Sequence, residues 1–138
     1  MICIIRIRGQ VGLGRDVEET LERLRLGKKY TCVVISPNKE QLGMIKKLRN
    51  LVAFGSIKKD VFEKLIDARG QKIKKDKKVD SKKAIEELEK GKTYQSLNLK
   101  PFFRLHPPRK GINSKEHFPK GVLGDNGEKI NDLVLRML

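Results

Sequence analysis

Tryptophan is absent, and 138 residues hold only two cysteines, five prolines, five phenylalanines and two tyrosines. No stretch approaches the roughly 18 consecutive apolar residues of a spanning helix, and no cationic segment carries a wide apolar face, so a membrane partner is not expected. The apolar start Met1-Ile2-Cys3-Ile4-Ile5 is cut off by Arg6 and Arg8 and reads as neither signal nor transit peptide. Cys3 and Cys32 show no CxxC spacing, and His106 and His117 lie far from both, so no metal site is expected; both cysteines read as small buried residues of a reducing compartment, the alternative being a disulfide across neighbouring strands, against which the lack of a secretory signal argues. Acid is also scarce: 17 Asp and Glu face 32 Lys and Arg, a formal charge of +15. An isolated compact domain at that charge repels itself, so a polyanionic partner is implied, and nucleic acid is the polyanion that fits.

What is present begins with a strand. Ile2 to Arg8 alternate, with Cys3, Ile5 and Ile7 on one face and Ile4, Arg6 and Arg8 on the other. Gly9, Gly12 and Gly14 make a turn, Asp16 with Glu19 has the form of an N-cap and capping box, Val17, Leu21 and Leu24 follow at helical spacing, and Gly27 reads as the terminator. The GxxGxG spacing is not that of a dinucleotide or P-loop motif, and no small-molecule site is expected there; the turn is either plain or a phosphate contact beside Arg15.

Thr31 to Ile35 form a short buried strand. Asn38 with Gln41 caps a second helix whose stripe is Leu42, Ile45, Leu48 and Val52, and whose outer side carries Lys39, Lys46, Lys47 and Arg49 with no acid after Glu40. Val52 to Ile57 complete a third strand of undetermined orientation. Residues 1–58 thus read as a β-α-β-α-β core: a three-stranded sheet with two helices on one face, α+β in class and ferredoxin-like in flavour. The uncovered face leaves Arg6 and Arg8 available for contact.

Residues 59–96 form a helical extension. A helix runs from Lys59 to Arg69 with Asp60 as N-cap, Glu63 in capping-box position and Val61, Phe62, Leu65 and Ile66 as its apolar side. A lysine-rich link at 71–80 is either a connector or an arm on phosphates, and Ser81 caps a further helix, Lys82 to Glu89, burying Ala84, Ile85 and Leu88. Residues 97–138 hold a proline-rich basic loop and a closing helix, Glu128 to Leu138, capped by Asp125. The three segments carry twelve cations against five acids, twelve against eight and eight against four, or +7, +4 and +4, so contact with the partner is broad.

The loop, Lys100-Pro101-Phe102-Phe103-Arg104-Leu105-His106-Pro107-Pro108-Arg109-Lys110-Gly111, is the most distinctive stretch. Its prolines exclude a helix interior or a central strand and stiffen it, and a stiff cationic segment loses little entropy on binding. Phe102 and Phe103 either stack on bases or anchor the loop to the body, with Arg104, His106, Arg109 and Lys110 presented to RNA. Shaped, partly unpaired RNA suits flat rings better than duplex DNA does, though charge alone also allows a DNA-packaging protein. A small ribonuclease with His106 as general base lacks a carboxylate to orient that histidine.

Ile4-Ile5-Arg6-Ile7-Arg8-Gly9, Gly43-Met44, Val52-Ala53-Phe54-Gly55, Phe102-Phe103-Arg104-Leu105-His106-Pro107-Pro108-Arg109 and Gly127-Glu128-Lys129-Ile130-Asn131-Asp132-Leu133 together are similar to the large-subunit ribosomal protein family called L-thirty in bacteria and archaea and L-seven in eukaryotes. The Phe-Phe-Arg-Leu-His-Pro-Pro run resembles the longer archaeal form; the bacterial form ends near residue 58. The resemblance implies a structural, non-enzymatic role without cofactor in the cytoplasmic ribosome, binding ribosomal RNA near the 5S RNA beside neighbouring ribosomal proteins. The link at 71–80 matches no motif of the family.

Overall fold

A computed structural model describes residues 1–9, 12, 14–36, 38–74, 80–109, 111 and 121–138. Strand β1 (Ile2–Arg6) lies at the centre of the sheet and pairs antiparallel with both β2 (Thr31–Ile35) and β3 (Val52–Ser56). Because both neighbours oppose β1, β2 and β3 run parallel to each other, and helix α2 (Lys39–Lys47) makes the crossover between them. Helix α1 (Arg15–Arg23) joins β1 to β2, so the β-α-β-α-β order expected from residues 1–58 is the order observed.

The sheet is larger than the three strands expected. Phe103–Arg104 form β4, antiparallel to β2, and Gly124–Asp125 form β5, parallel to β3, giving the order β4-β2-β1-β3-β5. Two-residue strands leave no alternation to read, and prolines beside β4 are compatible with its edge position. Three more helices, α3 (Lys59–Arg69), α4 (Ser81–Glu89) and α5 (Ile130–Met137), cover the sheet face that α1 and α2 leave free, whereas the face of Ile4 and Arg6, expected to be open, is the one under α1 and α2. On the side of these three helices Cys3, Ile5, Ile7, Cys32, Val34 and Ala53 pack with Phe62, Leu65, Ile85, Leu88, Ile130 and Val134. On the other, Ile4, Val33 and Val52 pack with Leu21 and Leu24 of the α1 region and Ile45 and Leu48 of the α2 region. The result is three layers. Both cysteines are fully buried free thiols, their Sγ atoms 3.2 Å apart. No helix among the described residues is long and apolar enough to cross a membrane.

The apolar stripes of α3, α4 and α5 are buried as their spacing requires, whereas in α2 Leu42 stays exposed. The expected caps fare unevenly. Asn38 and Gln41 form the full reciprocal capping box. Asp16 and Asp60 instead sit inside the first turns of α1 and α3, whose N-caps are Gly14 and Lys58; there the carboxylates meet the positive end of the helix dipole. Asp80, not Ser81, caps α4 by accepting from Lys82 N. Asp125 accepts from Gly127 N, and a single 3-10 turn, Gly127–Lys129, precedes α5, which therefore starts at Ile130. Helix α1 stops at Arg23, and the left-handed residue after it is Arg25 (φ 62°), not Gly27.

The C-terminal layer is fastened at β3. Asn131 accepts from Lys58 N at 2.8 Å and donates to Ser56 O at 3.2 Å. Beside it the chain approaches Gly55 so closely that a Cβ there would lie 2.2 Å from Gly127 O and 3.0 Å from Ile130 Cβ. Gly55→Ala is therefore expected to cost about 1–3 kcal/mol, the range for overpacking. A lowered urea midpoint with unchanged slope checks this; a neutral result would mean that residues 127–130 yield freely.

Candidate nucleic-acid interface

Strand direction gathers charge from distant parts of the sequence. β1 ends where β2 and β3 begin, so the residues around these termini share one end of the sheet. Tyr30 N donates to Arg6 O at 2.7 Å, Ile7 N and Arg8 N both donate to Leu51 O at 3.0 and 3.2 Å, and Leu105 N donates to Tyr30 O at 3.0 Å. Arg104 stands opposite Thr31 in the ladder. Arg8, Lys28, Lys29, Arg49 and Arg104, all exposed, therefore flank this one end, with Lys46 and Lys47 exposed on the last turn of α2. Arg15 is exposed at the start of α1. Of the glycine loop before it, residues 10, 11 and 13 lie outside the described residues.

Two ion pairs join described residues, Lys59–Glu89 at 3.3 Å and Lys92–Glu87 at 3.6 Å, and both belong to the α3–α4 side. Those two helices hold three cations against three acids and two against three. Among the described residues the excess charge thus stands on α2, with three cations against one acid, and on turns and strand ends. Sequence reasoning passed over Arg23, Arg25, Lys28 and Lys29 because they follow no periodicity; four cations and no acid in seven residues was the available signal.

Arg6 departs from its expected role. Its face of β1 lies under α1, and the residue is 1% exposed. Nε donates to Arg8 O at 3.0 Å and Nη1 to Leu26 O at 2.7 Å, while Nη2 has no hydrogen-bond partner among the described residues. Burial lowers the guanidinium pKa from its ordinary value, and the charge of Glu18 works against that shift. Arg6 thus holds the backbone of two cationic segments and is not itself offered to a partner.

The proline-rich run is attached along its length. Phe102 and Phe103 pack on opposite sides of the sheet. Phe103 is fully buried, its ring meeting Phe62 edge-on (centroids 6.4 Å, planes at 89°) and Tyr94 (6.3 Å, 74°). Stacking on a base is closed to it. Phe102 is half-buried against the α1–α2 side, and the guanidinium of the exposed Arg104 lies 5.2 Å from its ring centroid. His106 is a fastening and not a presented side chain: its N–H donates to Met137 O at 3.2 Å, and its ring nitrogens face the backbone oxygens of Pro107 and Leu138. Arg109 N donates to Arg136 O at 3.0 Å and leaves its side chain exposed; Lys110 lies outside the described residues. The start of the lysine-rich link is anchored too, since Ile73 N donates to Asn98 O and Lys100 N to Gln71 O, whereas residues 75–79 lie outside the described residues.

Fold and charge together define a small basic three-layer protein with a group of five exposed cations at one end of the sheet. A family model described as ribosomal protein L30p/L7e matches residues 2–52, from β1 to the first residue of β3. Over nearly the whole chain, similarity runs to archaeal proteins named large ribosomal subunit protein uL30. That of Archaeoglobus fulgidus is 39% identical, covering 99% of each chain, and that of Nanoarchaeum equitans is 37% identical, covering 100% of this chain and 99% of its own. The Ignicoccus hospitalis protein is 39% identical over 100% of this chain and 98% of its own. The chain belongs to the L30p/L7e family of ribosomal proteins, in the long form of these archaeal relatives.

Proposed function

We propose that this protein is a structural constituent of the large ribosomal subunit, binding ribosomal RNA near the 5S RNA and carrying out no catalysis. The carrying observation is the end-to-end similarity to archaeal large-subunit proteins. The convergence of Arg8, Lys28, Lys29, Arg49 and Arg104 at one end of the sheet supplies the physical means, since each cation set on a phosphate releases condensed counterions. Lys46, Lys47, Arg15 and Arg109 extend the contact, and Lys110, outside the described residues, is a further candidate from the sequence. Arg6 acts from beneath as a positioning residue, and Phe103 and His106 hold the loop in place. The more neutral α3–α4 side faces away from the RNA and is open to neighbouring ribosomal proteins.

The test is co-sedimentation of the native protein with the large subunit through a high-salt wash. Retention is expected. Release together with co-purifying DNA would replace this reading with that of a DNA-packaging protein, and RNA cleavage abolished by His106→Ala would replace it with that of a ribonuclease.

A further inference from the structure

Between the C-terminal end of α1 and the β4 edge runs a groove of about 660 Å³, lined by Glu22, Arg23, Arg25, Lys28, Phe102 and Arg104, with Thr31 at its floor. Four cations meet one acid there. The segment that carries three of them is held rigidly: Leu24 and Leu26 are buried at 5% and 0% exposure, so the alternating Arg23 and Arg25 are turned outward, and Leu26 O is fixed by the buried Arg6 guanidinium at 2.7 Å. Arg25 also adopts a left-handed backbone (φ 62°) that side chains seldom occupy, with its N–H bonded to Glu22 O at 2.9 Å. On the opposite wall the half-buried Phe102 ring and the Arg104 guanidinium already lie together, 5.2 Å apart.

We infer that this groove takes one unpaired nucleotide of RNA, its base stacked on the Phe102–Arg104 wall and its flanking phosphates on Arg25 and Lys28. A guanidinium on an aromatic ring offers a flat surface that a base can continue, whereas the bases of a duplex are already stacked on one another and cannot enter a concave edge. The backbone of the facing wall is already fixed, so only the ends of the Arg25 and Lys28 side chains are ordered when phosphates are met. The inference rests on the RNA-binding reading above and narrows it to unpaired RNA at this place.

The test compares the full-length protein on a short single-stranded oligoribonucleotide and on a blunt RNA duplex of equal length, at one salt concentration. Phe102→Leu keeps apolar packing and removes the ring; it is expected to weaken single-strand binding about tenfold, as loss of one base stack does, and to leave duplex binding unchanged. Arg25→Gln, at an exposed position where folding is not at stake, is expected to weaken the single strand more than the duplex. Equal losses on both RNAs, or no loss on the single strand while the wild type binds it, would overturn the nucleotide site and leave the general reading intact. Wild-type protein that binds neither RNA in a salt-sensitive way would overturn the general reading and this one with it.

Discussion

Phe103→Ala is expected to destabilise the protein by about 3–5 kcal/mol, the cost of emptying a large buried aromatic site. The ring lies in the core between the sheet and the C-terminal helices, and it closes edge-on contacts with Phe62 of α3 and with Tyr94. Such pairs contribute about 0.5–1.5 kcal/mol each beyond area burial. Its backbone also pairs with Cys32, so a cavity there loosens the edge strand as well as the layer beneath it. Thermal melting should register a fall of roughly 10–20 °C, given the few degrees per kcal/mol of a domain this size. RNA affinity measured well below the melting point should stay near the wild-type value, because the ring is not exposed. Lost affinity with little lost stability would show that residue 103 is offered to RNA after all.

The second large effect is electrostatic. If the five exposed cations around the sheet end and one on α2 each neutralise a phosphate, the log–log dependence of affinity on salt should have a slope of about −4.2 to −5.4, from roughly −0.7 to −0.9 per phosphate. A fourfold rise in salt then weakens binding by roughly 300- to 2,000-fold. The triple variant Arg8→Gln, Arg49→Gln and Arg104→Gln should make that slope shallower by about two to three units. All three residues are exposed, so the fold should tolerate the change. Lys83→Gln, on the nearly charge-balanced α4, should leave the slope unaltered. A flat salt dependence in the wild type, or equal effects of the triple variant and of Lys83→Gln, would mean that the sheet end is not where phosphates are met.

The contrast between Arg6 and Arg8 explains why charge position was harder to read than charge sign. The two residues stand two apart in the sequence and are chemically alike, yet Arg6, the last residue of β1, is 1% exposed and Arg8, in the bend beyond it, lies open. Alternation read along Ile2 to Arg8 places them on one face, but the strand stops at Arg6, and Ile7 N and Arg8 N both bond Leu51 O; only the packing of α1 shows that Arg6 is covered while Arg8 lies past the strand end. Phe102 and Phe103 make the same point for the aromatic pair: they are neighbours in sequence, yet they pack on opposite sides of the sheet, and α3 with Tyr94 encloses Phe103 alone.

By itself the sequence determined the strong local features: the strands around Cys3, Val33 and Ala53, the Asn38–Gln41 capping box, the buried stripes of α3, α4 and α5, the basic character of every segment and the motifs of the ribosomal family. Each is written within a few residues, in periodicity or in one side chain bonding a near neighbour. The tertiary structure alone decided the third layer, the two short edge strands, the burial of Arg6 and Phe103, and the meeting of positions 8, 28, 49 and 104 at one end of the sheet. Those outcomes depend on pairings between residues tens of positions apart, which local spacing does not encode: periodicity states which side chains point the same way, and only long-range packing states what they meet.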